Sequence, residues 1–135
     1  MKSFSLLIIA LIFCLGSCTA QTISSNQSAV GVELSKFLAK SQKPAVIKFY
    51  ADWCSSCKEF QPNFLKVSKS MSAQVDFFEI DIDQKAYKAL VKELKISRIP
   101  ETVFVNKERT SLTRKLGVMQ EIELRKKATE LATKG

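Results

Sequence analysis

The chain has 135 residues, of which 46% are hydrophobic and 25% charged, a balance typical of globular proteins rather than disordered or fibrous ones. This length suits one domain with a core large enough to fold alone, and it excludes two domains of ordinary size. The formal net charge of +8 comes from lysines and arginines scattered among acidic residues, without interleaved aromatic residues. It indicates a solvated basic surface, so we expect no nucleic-acid binding.

Residues 1–17 have the pattern of an export signal. Lys2 precedes an unbroken apolar stretch from Leu6 to Leu15, which is short for a membrane span. We therefore expect an exported protein, in an environment where disulfides persist, and we exclude this segment from the fold.

Cys18 ends the sequence Leu15-Gly16-Ser17-Cys18, which resembles the lipobox of bacterial lipoproteins. That resemblance implies acylation of Cys18 and a membrane anchor in the bacterial cell envelope, with the domain facing the periplasm. The alternative is cleavage after Ala20, which would leave the mature protein free in the periplasm. Residues 18–31 are small and polar and predict a flexible tether.

The domain is expected over residues 32–135, and it begins with a helix and a strand. Leu34, Phe37 and Leu38 share one helical face, and Lys43-Pro44 ends that helix. The following run, AVIKFYA, predicts a buried strand.

The next apolar period follows two cysteines. Phe60, Phe64, Val67 and Met71 recur every three or four residues, which predicts an amphipathic helix that Pro62 should kink. The run VDFFEIDI at residues 75–82 predicts a second strand.

The remaining segments predict a helix, a hairpin and a closing helix. Apolar residues at 87, 90, 91 and 94 mark the third helix, and residues 102–106 and 111–117 are the two strands of the hairpin. Ile122, Ala128 and Leu131 mark the last helix. The order αβαβαββα predicts an α/β fold with a mixed sheet, parallel in its first half and flanked by helices on both faces.

Cys54 and Cys57 are separated by two residues at the point where the first strand gives way to a helix. Cys54 would lie at the helix N-terminus, where exposed amides and the helix dipole favour a thiolate, and Cys57 would lie deeper. We predict Cys54 as the nucleophile and Cys57 as the resolving thiol of a redox disulfide.

Two other interpretations of the cysteine pair are weaker. A zinc site needs two more ligands, and the chain has no histidine. A structural disulfide that closes so short a loop would stabilise little. We therefore expect no metal and no organic cofactor.

From Leu34 to its C-terminus the chain resembles the thioredoxin family. Four separated motifs carry the resemblance: VIKFYADWCSSCKEF, IDID, ISRIPETVFVN and KLG. The first is particularly similar to the C-terminal domain of the disulfide reductase DsbD. The third is similar to membrane-tethered thioredoxin-like proteins of cytochrome c maturation and the TlpA group.

The resemblance implies a thioredoxin fold and a substrate-binding groove beside the cysteines. Ile99-Pro100 should be a cis peptide bond, with the Ile99 backbone pairing with an extended segment of the partner. Trp53 should cover the site, and Gly117 should lie beside the groove.

Lys48 and Glu79 depart from the family pattern. Lys48 occupies the position of the family's buried acid, and Glu79 lies where some thioredoxins carry a lysine. Because unpaired interior charges are costly, one interpretation is a Lys48–Glu79 pair in which acid and base have exchanged places and modulate the cysteine pKa values. The other is that the two side chains reach solvent at opposite ends of the sheet.

The sequence therefore predicts an exported, monomeric protein-disulfide reductase that acts on disulfide-containing exported proteins. Ser55-Ser56 lacks the histidine of strong periplasmic oxidants, which favours the reducing direction. The alternatives are a disulfide-inserting oxidase and a non-catalytic module that binds extended peptides. The resemblance implies a membrane electron donor of the DsbD type.

Overall fold

Helices and strands alternate along residues 30–134, the part of the chain that the computed structural model describes. The predicted order of elements is confirmed, with a 3₁₀ turn at Lys85–Tyr87 before the third helix. The export signal and Cys18 lie outside the described residues. The elements are α1 (Val32–Phe37), β1 (Ala45–Tyr50), α2 (Ser55–Met71), β2 (Asp76–Asp81), α3 (Lys88–Glu93), β3 (Glu101–Val105), β4 (Leu112–Leu116) and α4 (Glu121–Thr133).

The four strands form one mixed sheet in the order β2-β1-β3-β4. β1 and β2 are parallel, whereas β1 pairs with β3 and β3 with β4 in antiparallel fashion. The prediction of a sheet that is parallel in its first half is therefore confirmed. Strand β1 lies centrally, and its first five residues are buried, which explains its almost continuous apolar sequence.

Helices cover both faces of the sheet. Successive side chains of β1 point to opposite faces and so belong to two different apolar clusters. On one face Ile47 and Phe49 belong to the cluster that contains Leu34 of α1 and Leu90 of α3. On the other face Val46 belongs to the cluster that contains residues of α2 and α4. The domain thus has the predicted three-layer α/β architecture.

The carboxyl ends of β1 and β2 lie at one edge of the sheet, and β3 begins at that same edge because it runs antiparallel to β1. Three connections therefore meet there: residues 51–54 after β1, residues 82–84 after β2, and residues 94–100 before β3. This edge carries the predicted site.

Helix α2 buries the face that its apolar spacing predicts, with Phe60, Phe64, Val67 and Met71 in the core. The helix continues through Pro62. Proline lacks the N–H group that would bond to the carbonyl of Lys58, so α2 continues with one backbone hydrogen bond fewer.

Two predicted assignments differ from the structure. Val30, assigned to the tether, is buried in the core, so packed structure begins before residue 32. Ile122, expected on the buried face of α4, is 79% exposed, and Leu124 occupies that face with Ala128. Two residues correspond to about 200° around a helix, so Ile122 and Leu124 point in nearly opposite directions.

Among residues 30–134 no helix is long and apolar enough to cross a membrane.

Candidate active site

Cys54 and Cys57 form a disulfide at the start of α2, with their Cα atoms 5.2 Å apart. Cys54 is the N-cap of the helix, and its Sγ accepts a hydrogen bond of 3.2 Å from the backbone N–H of Cys57. Amides at a helix N-terminus that point at a sulfur stabilise the thiolate formed when the disulfide is reduced. This geometry is what a nucleophilic Cys54 requires.

Both sulfur-bearing residues are shielded from solvent, with exposures of 6% for Cys54 and 3% for Cys57. They pack against Ala51, and the partly buried Ile82 and Ile99 lie against the same small cluster. The Oγ of Ser56 lies 3.5 Å from the Sγ of Cys54, close enough for a weak hydrogen bond to the sulfur. The local surroundings of the disulfide are therefore mainly apolar.

A groove of about 450 Å³ runs beside the disulfide, and the four residues predicted to bind substrate all line it. Its walls are largely apolar, with Arg98 and two serines as polar members. The structure brings together at this groove Trp53, Ser56, Ile82, Ile96, Ser97, Arg98, Ile99, Pro100, Leu116 and Gly117.

Ile99-Pro100 is a cis peptide bond, as the resemblance implies. The Pro100 carbonyl accepts a 2.8 Å hydrogen bond from the N–H of Gly117, which ties the loop before β3 to the end of β4. Gly117 has a φ of 90°, a conformation that residues with a Cβ adopt rarely. This hydrogen bond thus joins the two segments that form this side of the groove.

Trp53 also lines the groove and is 69% exposed. Its indole N–H donates a 2.8 Å hydrogen bond to Asp83, which follows β2. This bond orients a large, exposed apolar surface beside the disulfide instead of burying it in the core. Sequence reasoning missed Asp83, although a polar residue just past a strand's carboxyl end was a usable signal.

Lys48 lies in β1 on the α2 side of the sheet and is fully buried. Its Nζ forms an ion pair of 2.5 Å with Glu79, its register partner on β2, and a hydrogen bond with Gln61 Oε1. The same ammonium lies 4.6 Å from the ring centroid of Phe64. Burial lowers the pKa of Lys48 below its ordinary value, and the hydrogen bond and charge of Glu79 oppose part of that effect.

The structure therefore agrees with the interpretation in which Lys48 and Glu79 pair, and not with the one in which the two side chains reach solvent at opposite ends of the sheet. The Glu79 side chain keeps 30% of its exposure, so only the lysine is taken fully out of water. Gln61 was missed, although it lies four residues after Cys57 and hence on the buried side of α2. A polar residue on the apolar face of α2 was the signal that could have indicated a buried polar partner such as Lys48.

The profile of the Thioredoxin family matches residues 26–130. The chain is 35% identical over 66 residues to the chloroplastic thioredoxin-like protein HCF164 of Oryza sativa, a match that covers 49% of this chain and 25% of that protein. It is 27% identical over 75 residues to the thiol:disulfide interchange protein TxlA homolog of Synechocystis, covering 56% of this chain and 42% of the relative. These matches span less than half of either relative.

A solved structure of chloroplastic thioredoxin z has the same fold, with a TM-score of 0.66 over 78% of this chain and 93% of that one, at 20% identity. The family match covers most of the chain, and Cys54 and Cys57 lie within it at the N-terminus of α2. The chain therefore belongs to the thioredoxin family, with Cys54 and Cys57 as its CxxC pair.

Proposed function

We propose that this protein is an exported protein-disulfide reductase that acts on disulfides of envelope proteins. The observation that carries the proposal is the Cys54–Cys57 disulfide at a helix N-terminus, directly beside an apolar groove. A groove of this kind accommodates an extended segment of a partner and presents its disulfide to Cys54. The domain acts as a monomer and needs neither a metal nor an organic cofactor.

The proposed reaction proceeds in two exchange steps. The Cys54 thiolate attacks one sulfur of the substrate disulfide, which forms a mixed disulfide and releases the other substrate sulfur as a thiolate. The Cys57 thiolate then attacks Cys54 Sγ, which forms the Cys54–Cys57 disulfide and releases the second substrate thiolate. Two electrons have passed to the substrate, and the protein must be re-reduced. A membrane electron donor of the DsbD type would supply them.

The chemistry around the cysteines supports the reducing direction. The residues between them are Ser55 and Ser56, and a hydroxyl stabilises a thiolate less than an adjacent cation does. A weaker thiolate leaves the dithiol a better reductant. The Lys48 ammonium beneath the site would act oppositely, but its charge is compensated by Glu79.

An insulin-reduction assay with dithiothreitol tests the activity, with the Cys54→Ser, Cys57→Ser double variant as the control. Accelerated precipitation by wild type alone supports the oxidoreductase. Background turbidity would favour the alternative of a non-catalytic module that binds extended peptides. Equilibration with glutathione then gives the direction: a potential near that of thioredoxin, about −270 mV, supports a reductase, and one near that of DsbA, about −120 mV, supports the oxidase alternative.

The location is proposed from residues 1–18, which have the pattern of a lipoprotein signal ending at Cys18. Lipidation of that cysteine would anchor the domain to a membrane of the bacterial envelope, facing the periplasm. We expect the full-length protein in the membrane fraction and Cys18→Ala in the soluble fraction. A soluble wild type with a mature N-terminus at Gln21 would instead establish cleavage after Ala20.

A further inference from the structure

Arg98 is the only charged side chain among the described residues that line the substrate groove. It is exposed, and within residues 30–134 its guanidinium forms neither an ion pair nor a hydrogen bond. Arg114 of β4 differs in this respect, because it is paired with Glu101 at 3.2 Å. The charge of Arg98 is therefore available to a partner at the surface where the substrate is proposed to bind.

The loop that carries Arg98 is held at both of its ends. Next to α3 the N–H groups of Lys95 and Ile96 bond back to carbonyls of that helix, each at 3.0 Å, and Lys95 has the positive φ of 52° that is typical of such a helix end. Arg114 donates a 2.6 Å hydrogen bond to the first carbonyl of the loop. At the other end the carbonyl of Pro100 is bonded to the backbone that follows β4. The loop thus presents Arg98 from a fixed backbone.

A polypeptide segment that lies along the groove displaces water from the guanidinium. Taking a charge out of water without a partner is costly, whereas a carboxylate bound through two parallel hydrogen bonds offsets much of that cost. The groove supplies no such partner itself, since Ile96 and Ile99 flank this part of the loop and no described lining residue is acidic. We therefore expect the groove to discriminate against segments that leave Arg98 unpaired.

We propose that Arg98 is a specificity-determining residue that binds an aspartate or glutamate close to the reactive cysteine of the partner. The preferred substrates are then disulfides flanked by acidic residues. This inference rests on the proposed function and deepens it, because it names the class of segment that the groove accepts. The net charge of +8 acts in the same sense at long range, since it attracts acidic partners to the domain.

Two acidic residues near the groove restrict where the carboxylate can bind. Asp52 precedes Trp53 in the chain, and Asp83 accepts the hydrogen bond of its indole, although neither acidic residue lines the groove. Their charges repel a carboxylate placed against Trp53, whereas Arg98 attracts one placed against the loop before β3. The preference is therefore for an acidic residue at one position of the segment and not for acidic segments in general.

Three peptides test this preference with the reduced mature protein. They are identical except for the two residues that flank their single cysteine, which are glutamates, glutamines or lysines, and the cysteine is linked to thionitrobenzoate. The Cys54 thiolate attacks the peptide sulfur, forms the mixed disulfide and releases thionitrobenzoate, the better leaving group. Cys57 then attacks Cys54 Sγ and releases the peptide thiol. Stopped-flow absorbance of thionitrobenzoate gives the second-order rate constant, which is divided by that of the same peptide with dithiothreitol to correct for intrinsic reactivity.

The wild type should react about fivefold faster with the glutamate peptide than with the glutamine peptide, the size expected of a well-placed exposed ion pair. The lysine peptide should react more slowly than either. In Arg98→Gln the ratio of the glutamate to the glutamine rate constant should fall to about one, and in Arg98→Glu it should fall below one. Added salt should reduce the ratio in the wild type, because it screens the ion pair.

Lys95→Gln is the matched control, because it removes the same charge from an exposed position of the same loop that does not line the groove. It should keep the ratio of the wild type. The same ratio in wild type and Arg98→Gln would overturn the assignment, as would an equal loss in Lys95→Gln, which would indicate a general field. Equal rate constants of the wild type with all three peptides would overturn this inference and leave the proposed exchange activity intact. No reaction with any of them would overturn both.

Discussion

Lys48 and Glu79 face each other across the parallel pair β1–β2 and form an ion pair of 2.5 Å, although only the lysine is fully buried. The pair is therefore asymmetric. If Glu79 is removed, the ammonium remains in the interior, and among residues 30–134 it keeps the hydrogen bond to Gln61 and the nearby aromatic rings. If Lys48 is removed, Glu79 is free to turn toward solvent.

Glu79→Gln should destabilise the oxidised protein by about 3 kcal/mol, since it leaves a buried charge without its partner. Lys48→Met should cost less, because the methionine fills much of the same space and leaves a carboxylate that water reaches. The double variant should be about as stable as Lys48→Met. Denaturant unfolding of the four proteins measures the coupling, and a value below about 0.5 kcal/mol would show that the two side chains are independent.

The stability of the wild type should rise with pH on the alkaline side. Burial lowers the pKa of Lys48 below its ordinary 10.5, so between the folded and unfolded values the unfolded chain binds more protons than the native state. The free energy of unfolding then increases with pH through that window, by about 1.4 kcal/mol for each unit by which the pKa is lowered. Lys48→Met should lack the rise. Tyr50, whose raised pKa acts oppositely, is present in both proteins, so their difference isolates Lys48.

Cys54→Ser should abolish turnover, whereas Cys57→Ser should retain a nucleophile that accumulates stable mixed disulfides with its partners. The reason is that Cys57 is the thiol that releases them. Non-reducing gels of both variants after expression in cells would reveal the asymmetry. Trapping by Cys54→Ser instead would reverse the two roles.

Glu93 should contribute to stability by capping α1 from a distance in sequence. Its carboxylate accepts hydrogen bonds of 2.8 and 2.9 Å from the N–H groups of Glu33 and Leu34, and the helix has no side-chain cap of its own. Glu93→Ala should cost about 1 kcal/mol, as for other caps. Glu59→Ala, on the exposed face of α2, is a suitable control. An equal effect of the two would refute the capping role.

Gly31→Ala probes the same contact from the other side. A Cβ on residue 31 would collide with the carboxylate group of Glu93 and displace it from the helix N-terminus. We expect this substitution to destabilise wild type and to have a smaller effect in the Glu93→Ala background. Equal losses of unfolding free energy in the two backgrounds would show that the collision does not occur.

Thr102→Val should stabilise the protein by about 1 kcal/mol. Thr102 is fully buried, and its Oγ1 has no hydrogen-bond partner among residues 30–134. Valine has nearly the same shape and removes the unsatisfied hydroxyl. Thermal unfolding of the two oxidised proteins checks this, and a lower midpoint for the valine variant would indicate that the hydroxyl is bonded in solution.

The helices and strands could be predicted because the spacing of apolar residues along each one matches the face that it buries. β1 is apolar on both faces since helices cover both, and α2 is apolar every third or fourth residue since one face meets the sheet. Ile122 was misassigned because a short amphipathic helix with one apolar residue off its face gives an ambiguous period. Val30 was assigned to the tether because it is an isolated apolar residue in a polar stretch, yet it is buried in the core.

Polar contacts that join distant parts of the chain could not be predicted in this way. Glu93 reaches α1 across 60 residues, and Trp53 reaches Asp83 across 30. Nothing in the local sequence of either partner specifies the other. The Lys48–Glu79 pair was an exception, because unpaired charges within buried strands are costly and a pair of opposite charges there is therefore expected.

The direction of α1 determines how far the active site would lie from a membrane if Cys18 were anchored in it. The helix begins against Glu93 and its chain continues to Ser41, whose hydroxyl lies 2.7 Å from Asp76 at the start of β2. It thus runs opposite to β1, and the preceding chain joins the domain nearer the edge that carries the cysteines. From Cys18 to Val30 a fully extended chain reaches at most roughly 40 Å. A lipid on Cys18 would therefore keep the disulfide close to the bilayer surface. Membrane-bound electron donors could contact it there, whereas soluble substrates would have to diffuse to the membrane.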